Sequence, residues 1–147
     1  MDRSGGRVCG PRASEMSILV VDDDEAVAST AASYLRRLDG VTVRTETDPA
    51  DAVELVAGGD FDAVVSDYEM PAMDGLTLLD AVLERDSSVA FVLFTACRDE
   101  DIPDRVSARG GAYVPKGGHA GGFERLAEWV RARLETDAAR SNVAATD

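Results

Sequence analysis

Ile18-Leu19-Val20-Val21-Asp22-Asp23-Asp24 is the stretch from which the rest of the 147-residue chain is read. Its four apolar residues run consecutively, with no polar residue between them, and three are β-branched. A strand that faces solvent on one side would alternate, so this run suits a strand covered on both faces, as in a parallel sheet with helices above and below. The aspartates end the strand and place acid at its carboxyl end. Outward from this stretch, similar runs lie at 41–45, 63–66, 90–95 and 112–114, and with 17–21 they make five. Between them are helical patterns. The first, over 25–38, carries Val27, Ala31, Tyr34, Leu35 and Leu38 on one stripe and ends at Asp39-Gly40. The second is entered through Asp48-Pro49, with Asp48 as cap and Pro49 at the first helical position, and stops at Gly58-Gly59. A third spans 76–83, a short fourth 102–108 and a fifth 123–134, the last burying Phe123, Leu126, Ala127, Val130 and Leu134.

Strict alternation of strands and helices predicts an α/β fold: an open, doubly wound, five-stranded parallel sheet with right-handed crossovers. The common small arrangement has strand order 2-1-3-4-5, in which ligands bind beyond the carboxyl ends of strands 1 and 3. Residues 1–16 lack periodicity and read as a flexible tail, residues 17–135 as the folded domain, and 136–147 as a fraying second tail.

Composition narrows the function. Against 28 Asp+Glu stand 15 Lys+Arg, a net charge of −13, with 45% hydrophobic residues. Such acidity repels nucleic acid and anionic membrane surfaces. No run approaches the roughly 20 apolar residues that span a bilayer, and the amino-terminal segment has no apolar signal core, so a cytoplasmic location is expected. Fourteen of the basic residues are Arg and only Lys116 is Lys. Acid excess with one lysine suits solubility in a salty, halophilic cytosol, the alternative being an acidic mesophile with Arg-rich coding. Cys9 and Cys97 form no metal or disulfide pattern and read as free thiols.

The residues just past each strand carry the chemistry. Strand 1 runs into Asp22-Asp23-Asp24, strand 3 into Asp67, strand 4 ends at Thr95, and strand 5 leads through Pro115 to Lys116. Carboxylates from neighbouring strands repel unless a hard divalent cation with oxygen ligands joins them, and Mg²⁺ is the natural choice because it shares its site with phosphate. Lys116 and Thr95 offer an ammonium and a hydroxyl suited to phosphoryl oxygens. Asp24 by itself reads as the cap of the first helix, Asp74-Gly75 as a turn, Met70 and Met73 as packing, and His119, among glycines, as a surface residue.

Together, Ile18 to Asp24, Ser66-Asp67-Tyr68-Glu69-Met70-Pro71-Ala72-Met73-Asp74-Gly75, Phe94-Thr95-Ala96 and Tyr113-Val114-Pro115-Lys116 resemble receiver domains of two-component response regulators, of the stand-alone, chemotaxis-regulator-like kind. The resemblance covers about residues 17–135 and implies the flavodoxin-like receiver fold. It implies that Asp67 is the phosphoacceptor, that Asp22, Asp23, Asp67 and the Glu69 backbone carbonyl hold Mg²⁺, and that Thr95, Tyr113 and Lys116 contact or sense the phosphoryl group. A sensor histidine kinase is the implied donor, an unidentified protein the downstream partner, and the face of helix 4, strand 5 and helix 5 the output surface, through which copies would also pair. Such a protein is a phosphoacceptor switch, catalysing only its own phosphorylation and slow dephosphorylation. Two alternatives stay open: a pseudo-receiver that binds partners unphosphorylated, and a haloacid-dehalogenase-type phosphohydrolase, which needs an Asp where Glu69 stands. Gly117 replaces the usual Pro after Lys116, and the interval from Thr95 to Lys116 is about one residue short.

Overall fold

Every strand of the sheet is parallel to its neighbours, and the strand order is the one the alternation predicts. In a computed structural model, which describes residues 16–97, 99–117 and 119–146 apart from the side chains of 119, 120 and 136–146, the elements alternate without exception. They are β1 (Met16–Val21), α1 (Glu25–Leu35), β2 (Val41–Glu46), α2 (Pro49–Ala57), β3 (Ala63–Ser66), α3 (Gly75–Arg85), β4 (Ala90–Thr95), α4 (Ile102–Ala108), β5 (Ala112–Pro115) and α5 (Phe123–Thr146), with a short 3-10 turn over His119–Gly122 before α5. The sheet runs β2-β1-β3-β4-β5. Met16, read as the last residue of the tail, is buried and opens β1, because its side chain enters the core beside Ile18; the rest of that tail, Cys9 within it, and the surface role of the His119 side chain lie outside the described residues.

The uninterrupted apolar strands are explained by two cores, one on each face. Leu19, Val21, Val64, Phe91 and Leu93 point to one side, where Val53, Val56, Leu76, Leu79, Ile102 and Val106 from α2, α3 and α4 cover them. Ile18, Val20, Ala63, Val65, Val92 and Phe94 point to the other, against Ala28, Ala31, Leu35, Leu126 and Val130 from α1 and α5. Successive residues of a strand thus enter different cores, and the buried polar residues Ser66 and Thr95 stand only at the carboxyl ends of β3 and β4. Edge strand β2 lacks this double cover, and its burial alternates from Val41 to Arg44.

Helix ends follow local chemistry, with three departures. Asp24 caps α1, its side chain accepting from the backbone N–H groups of Ala26 and Val27, and Asp48 caps α2 through Ala50 N–H. The first helix stops at Leu35 rather than 38: Leu38 N–H bonds back to the Leu35 carbonyl in a tight turn that leads to Gly40, at φ +84°. Asp74 is more than a turn residue, because its carboxylate accepts from Thr77 N–H and starts α3 at Gly75. The fifth helix does not end at Leu134. It continues to Thr146 through a segment rich in alanine and free of glycine and proline, so nothing in the backbone chemistry stops it. Pro115 fits because β5 is an edge. Lys116 N–H bonds the Thr95 carbonyl, so by the alternation of a parallel ladder the Pro115 nitrogen faces the open side.

Candidate functional site

Three loops meet at the carboxyl edge of the sheet, and the ladder hydrogen bonds carry their first residues into position. Asp22 N–H donates to the Glu46 carbonyl, Asp67 N–H to Val21, and Lys116 N–H to Thr95, at 3.2, 3.0 and 2.8 Å. Each functional residue is thereby placed one step past the end of its strand. The carboxylates of Asp22, Asp23 and Asp67 converge so that one oxygen of each lies within 4.8 Å of the others. Lys116 reaches over from β5, its Nζ 2.9 Å from Asp22 Oδ2 and 3.7 Å from Asp67 Oδ1.

Secondary contacts fix the orientation of each group. Asp24 N–H donates to Asp22 Oδ1 at 2.9 Å, so both oxygens of Asp22, a buried residue, have partners. Tyr68 N–H donates to Asp67 Oδ1 at 2.8 Å, which leaves Oδ2 without a protein donor among the described residues. The fully buried Ser66 hydroxyl donates to the Asp67 carbonyl, tying the start of the loop. Phe94 lies beneath the ammonium, with Lys116 Nζ 5.4 Å from its ring centroid.

Charge is unbalanced here. Three carboxylates share one ammonium, and the Asp22 and Lys116 side chains keep only 5% and 16% of their exposure, so water screens the excess poorly. Three hard oxygen donors within reach of one point, Asp23 exposed and Asp67 partly so, fit a divalent cation that takes carboxylate oxygens and keeps its waters. Asp22, Asp23 and Asp67 are the residues that would hold it.

Thr95 and Tyr113 sit beside this cluster and are linked to each other. Thr95 is buried, and its Oγ accepts from Cys97 N–H at 3.2 Å; the Cys97 carbonyl in turn accepts a long, 3.5 Å bond from the Tyr113 hydroxyl. Tyr113 is half-buried on β5, and Cys97 is a free, half-buried thiol between the two. Glu69, also expected here through its carbonyl, has an exposed side chain in the loop after β3.

Two contributors escape a reading of the sequence. Gly75 looks like a turn glycine, yet its N–H donates to the Tyr68 carbonyl and a Cβ on it would overlap the Leu93 side chain and approach the Asp67 carbonyl at 2.6 Å. Arg125 on α5 donates to the carbonyls of Pro115 and Gly117, on either side of Lys116. The glycine is signalled only by its place opening a helix after Asp74. The arginine carries no signal at all, because it acts on backbone atoms eight and ten residues away.

Comparison with known proteins agrees with this geometry. The family model for the response regulator receiver domain matches residues 18–119. The transcriptional regulatory protein TcrA of Mycobacterium tuberculosis is 38% identical over 109 residues, covering 74% of this chain and 42% of TcrA. The response regulator MprA of Mycobacterium ulcerans is 34% identical over 137 residues, 88% of this chain and 56% of that protein. The chain therefore spans about half the length of these curated relatives. Among solved structures, a CheY-like receiver domain from Methanospirillum hungatei superposes with a TM-score of 0.75 at 20% identity, over 86% of this chain and 98% of its own, which shows the shared fold. No described helix is long and apolar enough to cross a membrane. By sequence match over most of its length, and with the strand order and acidic edge that go with it, the chain belongs to the response regulator receiver domain family.

Proposed function

We propose that the chain is a phosphorylatable, Mg²⁺-dependent receiver that acts in the cytoplasm as a switch. The observation that carries this reading is the convergence of Asp22, Asp23, Asp67 and Lys116 at one point of the sheet edge. A carboxylate alone is a weak nucleophile toward a phosphoryl group already rich in negative charge. What makes the transfer feasible is neutralisation and alignment.

Asp67 attacks through Oδ2, the oxygen not held by Tyr68 N–H. An O–P bond forms as the P–N bond to a phosphohistidine of a sensor kinase breaks, and the imidazole leaves neutral because its other nitrogen already carries a proton. Lys116 Nζ, within reach of both Asp22 and Asp67, moves its charge onto the phosphoryl oxygens as they arrive. A cation on Asp22, Asp23, Asp67 and the Glu69 carbonyl, when bound, supplies further neutralisation of those oxygens. The Thr95 hydroxyl, leaving Cys97 N–H, turns to the phosphoryl group, and Tyr113, tied to the same residue by its hydroxyl, responds. The resulting shift in population alters the face formed by α4, β5 and α5, where a downstream protein or a second copy binds. The only chemistry the chain performs is on itself: acquiring the phosphoryl group and losing it slowly to water.

The test is intact mass after acetyl phosphate with Mg²⁺ or with EDTA, for wild type and Asp67→Asn. The expected result is one phosphoryl adduct, labile to hydroxylamine, formed only by wild type and only with Mg²⁺. A folded wild-type protein that forms no adduct would overturn the proposal and favour a pseudo-receiver.

A further inference from the structure

Lys116 is restrained through its backbone as well as through its ammonium. Arg125, on the first turn of α5, sends Nη2 to the carbonyl oxygens of Pro115 and Gly117, 3.2 Å each. That nitrogen carries two N–H groups, one for each carbonyl, and the residue spanned between them is Lys116. Gly117 takes φ +111° and Gly122 φ +83°. Proline, fixed near φ −65°, cannot adopt the first of these, so the backbone leaving Lys116 follows a path open to glycine. Glycine also leaves this peptide more conformational freedom than any other residue would. The guanidinium restrains from outside a segment that its own sequence does not stiffen. Packing adds to this: a Cβ on Gly122 would overlap the Pro115 carbonyl and lie 3.2 Å from Lys116 Cα, so the end of the 3-10 turn that leads into α5 rests directly on the lysine's peptide.

We infer that Arg125 is a positioning residue for Lys116, whose two hydrogen bonds hold the lysine backbone so that Nζ reaches Asp22 and Asp67 across the sheet edge. The inference rests on the phosphoacceptor reading for its functional consequence, but the geometry it concerns can be observed without any phosphoryl transfer. Arg125 is itself exposed and touches no reacting atom, so its substitution leaves the core intact.

Because Lys116 is the sole lysine in 147 residues, protein labelled with ¹³C,¹⁵N-lysine gives a single side-chain ammonium resonance, and that resonance reports the ion pairs directly. The experiment records it for wild type, Arg125→Met, Arg125→Lys and the control Arg131→Met, alongside thermal unfolding and the rate of adduct formation with acetyl phosphate and Mg²⁺. Arg125→Met keeps the aliphatic stem and removes the donors. It is expected to move the Lys116 resonance toward the free-lysine position and to slow the adduct about tenfold, the scale on which small displacements of a charged group act. Arg125→Lys, with donors on a shorter stem, recovers part of both, and Arg131→Met changes neither. A Lys116 resonance unmoved in Arg125→Met overturns the inference whatever the rate does, since the arginine would then be acting elsewhere. Failure of wild type to form an adduct would sink the phosphoacceptor reading, and the resonance comparison would still decide the role of Arg125.

Discussion

Lys116 and Asp22 form the least solvated ion pair described in the chain, and the two other carboxylates beside it make the balance of charge at that point the main energetic feature of the site. Removing one partner of a buried pair costs more than the pair contributes, because the remaining charge keeps its desolvation without compensation. Lys116→Met should therefore lower stability to urea by about 2 kcal/mol in EDTA, less than for a fully buried pair because the lysine retains contact with water. Millimolar Mg²⁺ should restore much of it. Asp23→Asn, which removes repulsion at an exposed position, should shift stability the other way, by about 0.5 kcal/mol. A Lys116→Met protein as stable as wild type in EDTA would show that the ammonium does not balance this cluster. These residues were legible in the sequence because acids and a lone lysine directly after apolar runs are visible as such. Arg125 and the Tyr68 N–H were not, because both act through backbone atoms, and sequence does not show which peptide a side chain or an amide will meet.

The β3–α3 connection shows the same division at the level of elements. Its strand and helix were readable from the apolar run and the stripe beyond it, but the length of α3 was not, because Asp74 looked like a turn rather than a cap. Apolar periodicity locates an element well and its ends poorly: α1 stops three residues short of its stripe, and α5 passes its last described buried residue, Leu134, by twelve. Where a glycine in the left-handed region closes the turn, as at Gly40, the boundary was recognisable within a few residues. Gly75 ties this connection to the site, since it packs against the loop that carries Asp67 with no room for a methyl group. Gly75→Ala should destabilise the protein by about 1–3 kcal/mol, the usual cost of forcing extra volume into a filled site, despite alanine's better helix propensity. It should also slow phosphoryl transfer more than its loss of stability accounts for, measured well below the unfolding transition, because the displaced atoms belong to Asp67 and Tyr68. A variant with wild-type stability would mean that Leu93 moves aside freely and that the close approach is incidental.

Across the whole molecule, one fold has to reconcile a concentrated acidic site with a surface that is acidic as well. The net charge of −13 is spread over a small domain, so like charges repel at distances comparable to the Debye length of about 10 Å at 0.1 M salt. Among the described residues few pairs offset it: Arg109, just past α4, meets Asp80 on α3 at an exposed position where such a pair contributes little. Self-repulsion of this kind favours expansion, and screening relieves it. Stability to urea, which adds no ions of its own, should therefore rise as KCl increases from about 0.1 to 1 M and then level off, because at 1 M the Debye length has fallen to about 3 Å and little repulsion is left to screen. The shape of the curve identifies the cause. Salt that acts by exclusion from apolar surface strengthens burial steadily with concentration, so its effect would not saturate. A urea midpoint that stays flat across that range of KCl would show that the acidic surface is tolerated without salt, and the scarcity of lysine would then need no explanation from a salty cytosol.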